Sequence, residues 1–275
     1  MRLPQLHEGM NFCFLDIETA PMESLHFSPK TEFVPYAANE QGFTILCAAW
    51  SFSGSEKAYS SSIQQYFPKP TYSTVRKDKK VVADLVELLT HCAEHNVVVV
   101  TQNGDRFDIP KIKARGAIHR LPAIPKFTSI DTLKLARQLG FDYKNLDYLD
   151  KMAGGEGKLA NRGWALWSEC VSRHSSKATR LKALKEMLEY NIMDIPPLVR
   201  VLAWLAPYCD RMPNINLWQG TEDSCPSCGS DNVIFRSKPY IAATRMYRRK
   251  SCNDCGKWFR EASCIKGVSV KARAA

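Results

Sequence analysis

The spacing of apolar and polar positions changes several times along the chain, and each change marks an element. Phe12 to Glu18, FCFLDIE, has the composition of a buried strand, and the alternation of side chains along a strand places Asp16 and Glu18 on one face with Phe12 and Phe14. Phe43 to Phe52 and Lys57 to Ser62 predict two further strands, and a helix is expected from about Val81 to His95. The β-branched run Val97 to Thr101 predicts another buried strand, ending at the glycine turn Asn103-Gly104. From Leu181 to Ile195, Leu181, Leu184, Met187, Leu188 and Ile192 recur with helical spacing, so Tyr190 and Asp194 are neighbours on one helix face. Pro196 and Pro197 follow directly, and proline's missing N–H predicts a kink or a helix restart there. Strands first, then strands alternating with helices, give an α/β class with a mixed sheet covered by helices.

Candidate chemistry lies at the ends of these elements. Asp16 and Glu18 point into one space, Asp108 follows a strand at a strand-to-helix junction, and Asp194 ends a helical stretch. Crowded carboxylates are unfavourable unless they bind protons or cations, and hard oxygen ligands suit Mg²⁺ or Mn²⁺. Asp131, before Thr132, Leu133 and Leu135, is expected to cap a helix and stays outside the site. Asp105 is expected to be a turn residue.

DIET, then NGDRFD, then YNIMD, in this order, resembles the DEDDy branch of the DnaQ-like 3′–5′ exonucleases, with family B DNA polymerase proofreading domains and the YprB-like group as the nearest flavour. The similarity covers about residues 10 to 205 and extends to SIDTLKLAR at Ser129–Arg137 and NLDYLDKMAGGEGK at Asn145–Lys158. It implies a ribonuclease H-like fold in which Asp16, Glu18, Asp108 and Asp194 bind two Mg²⁺ or Mn²⁺ ions. Tyr190 would position the attacking water, while Asn103 and Phe107 would contact substrate. No histidine stands just before Asp194, which disfavours the histidine-dependent branch.

Cysteine spacing adds a second module. Cys225-Pro-Ser-Cys228 and Cys252-Asn-Asp-Cys255 resemble a zinc ribbon, with four thiolates around one structural Zn²⁺. Cys264 is expected to be a free thiol, and Cys13, Cys47, Cys92, Cys170 and Cys209 small buried hydrophobes. The expected division is an exonuclease domain over residues 1–206, a linker over 207–223, and the ribbon with a basic tail over 224–275. Of the net charge of +10, residues 221–275 hold 11 Lys/Arg against 5 Asp/Glu. Arg245, Arg248, Arg249 and Lys250, interleaved with Tyr240, Tyr247, Trp258 and Phe259, are candidate contacts for phosphates and bases; the alternative is a solvated face whose aromatics fill a small core.

Phe67 to Lys80 is a polar, basic loop expected to be a solvated insertion, with a place at the border of the substrate channel as the alternative. His91 and His95 have metal-compatible spacing but no third ligand nearby, and AGGEGKL lacks the first glycine and the Ser or Thr of a phosphate loop. No stretch approaches the roughly 20 apolar residues of a membrane span, and MRLPQLHEGM lacks a signal-peptide core. The expectation is a soluble cytoplasmic protein without membrane contact. Its expected activity is metal-dependent 3′–5′ hydrolysis of single-stranded nucleic acid, DNA rather than RNA, releasing 5′-mononucleotides, with a replication or repair partner possible. Two alternatives stand beside it: an exoribonuclease, and a non-catalytic zinc-ribbon adaptor that binds nucleic acid.

Overall fold

The computed structural model describes residues 12–28, 30, 32–55, 57–157, 162–209, 212–216 and 223–268. They fall into two compact units, one of residues 12–137 and 141–201, the other of residues 202–268 with 138–140.

The first unit is built on β1 (Phe12–Ala20), β4 (Thr44–Phe52), β5 (Ala58–Ser62), β6 (Val98–Thr101) and β7 (Ser129–Asp131). They form one sheet in the order β5-β4-β1-β6-β7. The pairs β4 with β5 and β1 with β4 are antiparallel, whereas β1 with β6 and β6 with β7 are parallel. A separate two-stranded ribbon pairs β2 (Glu23–Ser24) with β3 (Asn39–Gln41). The helices are a single turn α1 (Ile63–Tyr66), then α2 (Lys79–Glu94), α3 (Asp108–Ile118), α4 (Thr132–Leu139), α5 (Leu146–Met152), α6 (Trp164–Val171), α7 (Lys177–Met193) and α8 (Ile195–Leu205). This is the expected mixed sheet flanked by helices, a ribonuclease H-like α/β architecture.

The main core follows from strand alternation. Cys13, Leu15 and Ile17 on one face of β1 join Ile45, Leu46 and Cys47 of β4, Leu85 and Leu89 of α2, and Ala183, Leu184 and Met187 of α7, all buried. Phe12 and Phe14 point to the other face, are also buried, and touch each other with ring centroids 6.1 Å apart. Cys13, Cys47, Cys92, Cys170 and Cys209 are buried as expected, and Cys264 is exposed.

The segment before α2 departs from a solvated loop. Arg76 is held by Glu23 at 2.8 Å and donates to the carbonyls of Pro21 and Gly42. Asp78 is fully buried, accepts from the Ile45 N–H at 2.9 Å, and pairs with Arg115 and His119. A buried carboxylate is stable only with such partners, so the basic stretch is tied to the sheet and α3. His91 and His95 stack, with ring centroids 4.2 Å apart, and join no metal-ligand cluster among the described residues. Lys158 and Leu159, which end the glycine-rich stretch, lie outside the described residues.

The second unit contains β8 (Val233–Ile241), β9 (Arg245–Cys252) and β10 (Trp258–Gly267), an antiparallel sheet in the order β10-β9-β8. Among the described residues no helix is long and apolar enough to cross a membrane.

Candidate active site

β1 pairs with β6 only from Phe12 to Phe14, so the edge of β1 that faces β6 is open beyond that point. Asp108 fills the opening. β6 stops at Thr101, the chain turns through residues 102–107, and Asp108 begins α3 with its Oδ1 accepting from the Ile17 N–H at 3.1 Å. Ile17 itself points into the core, which leaves Asp16 and Glu18 on the other face, beyond Phe12 and Phe14.

The turn holding Asp108 is tightly specified. Asn103 has φ +65°, in the left-handed region, and its N–H donates to Asp131 Oδ1 at 2.8 Å. A Cβ on Gly104 would lie 2.2 Å from Thr101 Oγ1 and 2.3 Å from Thr101 Cβ, so glycine is required there. Asp105 is a turn residue as expected, accepting from Ser129 Oγ at 2.9 Å and paired with Lys134 at 2.5 Å.

Asp194 arrives from the other direction. It caps α7, its N–H donating to the Tyr190 carbonyl at 3.2 Å, and α8 starts at the next residue with Pro196 and Pro197 in its first turn. This is the expected restart: proline is tolerated where a helix begins, since the first N–H groups have no intrahelical acceptor. α7 is anchored by Ala183, Leu184 and Met187 in the core, which carries Asp194 to the sheet. Tyr190 is buried one turn earlier, edge-on to Trp167 at 6.3 Å.

The result is a cluster. One carboxylate oxygen each from Asp16, Glu18 and Asp194 lie within 4.8 Å of one another, and Asp194 is 1% exposed. Oxygens around one Mg²⁺ at about 2.1 Å would be separated by about 3 to 4 Å, so this donor set fits a hard divalent cation. Asp108 stands beside the cluster on β1 and is not part of that closest group among the described residues. Burial pushes its carboxyl up to about 7; the N–H groups of Ile17 and Asp108 itself pull it down, the Asp131 carboxylate raises it, and Lys111 lowers it. A cavity of about 610 Å³ adjoins Asp16, lined among others by Gln102, Asn103, Leu133, Lys144 and Leu146. Phe107, 37% exposed, lies at the start of α3 with Lys111 Nζ 4.7 Å from its ring.

A family model for the RNase_H superfamily matches residues 39–206, more than half of the chain. The chain belongs to the RNase_H superfamily. The matched region of this RNase_H-superfamily member contains Asp108 and Asp194 and begins after Asp16 and Glu18. Among solved structures it is similar to a family B DNA polymerase from the hyperthermophilic archaeon Pyrobaculum calidifontis, with a TM-score of 0.50 and 14% identity. That similarity covers 80% of this chain and 26% of the polymerase, so the chain spans about a quarter of the polymerase's length. At this identity the likeness concerns the fold. No curated protein matches the chain.

Two further residues at the site make contacts that no local pattern in the sequence announces. Asn191 is fully buried and its Nδ2 donates to Asp16 Oδ2 at 2.6 Å, across 175 positions. Asp131 does cap, accepting from the Leu133 N–H at 3.0 Å, and also holds the Asn103 N–H, so it orients the turn that leads to Asp108. The capping half of that role follows from local spacing; the contact with Asn103 does not.

In the second unit the four cysteines converge as expected. Cys225 and Cys255 sulfurs are 3.6 Å apart, Cys228 and Cys252 3.4 Å, and all four lie within 4.8 Å of one another, consistent with a zinc ribbon. Two turns support them, with the Gly229 N–H donating to the Cys225 carbonyl and the Gly256 N–H to that of Cys252. Arg245 and Arg248 are exposed on β9 and Arg249 is half-buried. Lys250 is different: it is buried and paired with Asp223 at 3.1 Å and Glu261 at 3.2 Å.

Proposed function

We propose that the chain is a metal-dependent 3′–5′ exonuclease of the DEDDy type, acting on single-stranded nucleic acid, DNA rather than RNA, and releasing 5′-mononucleotides. The observation that carries this reading is the cluster of Asp16, Glu18 and Asp194, drawn together from β1 and the α7–α8 junction, with Asp108 fixed alongside. Folding alone would be better served by apolar residues at such a place, because uncompensated carboxylates repel and resist burial.

Divalent cations held there would neutralise the phosphodiester and lower the pKa of a bound water. The chain's own residues supply the remainder. Tyr190, whose ring is fixed against Trp167, would orient the attacking water through its hydroxyl. Asn103 and the half-exposed ring of Phe107 would hold the terminal nucleotide beside the cavity that adjoins Asp16. Asn191 fixes one oxygen of Asp16 and so sets the direction in which the other can bind. A structural Zn²⁺ on Cys225, Cys228, Cys252 and Cys255 would be independent of the carboxylate site, since soft thiolates and hard carboxylates select different ions.

The test is digestion of end-labelled single-stranded and duplex DNA and RNA with and without Mg²⁺ or Mn²⁺, using the chain and its Asp16→Asn variant. Stepwise shortening from the 3′ end of single-stranded DNA, dependent on the metal and lost in the variant, is the expected result. No metal-dependent cleavage of any substrate, or equal rates for the variant, would overturn the reading. Preference for RNA would replace DNA by RNA as the substrate.

A further inference from the structure

The basic residues of the C-terminal sheet are sorted by face, and the sorting singles out a row of three arginines. Arg236 of β8 pairs in register with Arg249 of β9, and Arg249 with Arg260 of β10. Neighbouring strands are about 4.8 Å apart, so three guanidinium stems leave the same face of the sheet within about 10 Å. Aromatic rings flank this row on the same face, beside Ile234, Ser251 and Cys264, and Arg236 Nε donates to Ser251 Oγ at 2.8 Å. Trp258 lies on one side, with the guanidinium carbons of Arg236 and Arg249 at 4.7 and 5.8 Å from its ring. Tyr240 and Tyr247, paired with each other across β8 and β9, lie on the other, with Arg249 and Arg260 at 5.7 and 5.9 Å from Tyr240 and Arg260 at 3.7 Å from Tyr247. Trp258 is 53% exposed and Tyr240 41%.

The acids sit elsewhere. Among the described residues no carboxylate forms an ion pair with Arg236, Arg249 or Arg260, whereas Asp223 and Glu261 are both engaged by Lys250. Lys250 follows Arg249 on β9 and therefore points to the opposite face, where it lies 4.6 Å from the ring of Phe235. Like charges directly opposite one another across strands are destabilising. A merely solvated surface would gain from placing an acid in this row; instead the positive charges are stacked on rings that neutralise none of them.

We propose that this face of the ribbon, with Arg236, Arg249 and Arg260 between Trp258 and Tyr240, binds a single-stranded nucleic acid, its phosphates on the arginine row and its bases stacked on the two exposed rings. The ligand class follows from the alternation. A polyanion satisfies the arginines, and only one whose planar bases are unpaired also covers the aromatic rings on either side. That such a strand is a substrate of this chain rests on the nuclease reading; the binding face itself is independent of it.

The experiment is a binding titration of the full chain carrying Asp16→Asn, against long oligothymidylate, the matching RNA, and inorganic polyphosphate, at several salt concentrations. Arg236→Gln/Arg249→Gln/Arg260→Gln is compared with Lys30→Gln/Lys69→Gln/Lys266→Gln, which removes the same charge at exposed positions outside the row. Each phosphate contact to a single strand contributes about 0.7 to the slope of log affinity against log salt. Loss of the row should therefore flatten the slope by about 2 and weaken binding by roughly 100-fold near 0.1 M salt, while the control changes far less. Trp258→Ala should weaken binding of DNA or RNA about tenfold, in line with the loss of one stacked base, and leave polyphosphate binding unchanged. Arg249→Gln alone should flatten the slope by about 0.7, which keeps the test decisive if the triple variant does not fold. Equal losses in the row and control variants, or equal effects of Trp258→Ala on DNA and polyphosphate, would overturn the proposal. A chain that shows the row dependence but cuts no strand would sink the nuclease reading alone; one that cuts but shows no row dependence would sink this inference alone.

Discussion

Replacing Asp108 by asparagine should remove hydrolysis while leaving the fold at least as stable as before. The carboxyl is 3% exposed and its Oδ1 accepts from the Ile17 N–H at 3.1 Å. Asparagine keeps an oxygen there, so the opening in the β1 edge stays filled. Alanine does not, and a buried N–H left without an acceptor costs about 1–3 kcal/mol. The charge adds a second difference. Burial raises the acid from 3.8 to about 7, so the folded chain holds this proton more tightly than the unfolded chain. Wild-type stability from this group is therefore complete below pH 3.8 and declines as pH rises towards 7, by a ceiling on the order of 4 kcal/mol. An uncharged amide at this position has no such decline. Thermal melts in buffer free of added Mg²⁺ and Mn²⁺, at pH 5 and pH 8, should show the asparagine variant gaining on wild type at the higher pH and the alanine variant less stable than asparagine at both. Hydrolysis of single-stranded DNA should be lost in both variants. An asparagine variant that melts well below wild type at pH 8, or turns over substrate at the wild-type rate, would refute the argument that this buried acid serves the reaction at the expense of the fold.

Gly104→Ala should lower stability by about 1–3 kcal/mol and reduce turnover, because the added Cβ would collide with Thr101 and shift the turn leading to Asp108; an unchanged melting temperature would show that the turn is looser than it looks. Asn191→Ala should raise the Mg²⁺ concentration needed for half-maximal activity by about 10–100-fold, the usual effect of removing a group that orients a metal ligand, since it frees one oxygen of Asp16; an unchanged Mg²⁺ requirement would make Asn191 a packing residue only. Tyr190→Phe should reduce turnover more than substrate affinity, as the ring keeps its contact with Trp167 while the hydroxyl is lost, and a change confined to affinity would make Tyr190 a substrate contact. Cys225→Ser should reduce bound zinc, measured by metal analysis of the purified protein, without altering the metal requirement of hydrolysis; unchanged zinc content would contradict a four-cysteine site.

What the sequence disclosed depended on whether a signal was local. The strand carrying Asp16 and Glu18, the buried run ending near Asn103, and the helix break at Pro196 and Pro197 all follow from spacing within a few residues, and each is present in the fold. Contacts between distant segments were not legible. The Asp131 cap is a matter of two residues, but its bond to the Asn103 N–H joins the ends of adjacent parallel strands, β6 and β7. Asn191, one residue after Tyr190, looks like an ordinary polar position until α7 is laid against β1. Arg76 and Asp78 likewise belong by composition to a basic loop, whereas in the fold they are held by partners on the sheet and α3. The ribbon shows the same limit most sharply. Arg248, Arg249 and Lys250 are consecutive, so strand alternation must send Arg249 one way and its neighbours the other. Which face attracts an anion is decided by strand register, and both pairings of β9 are interrupted by irregularities that no local pattern announces. Arg236, thirteen residues away, then completes a row with Arg249, while Lys250 is neutralised by Asp223 and Glu261. Composition measures how much charge a segment carries; only register determines whether that charge is spent inside the fold or left facing a ligand.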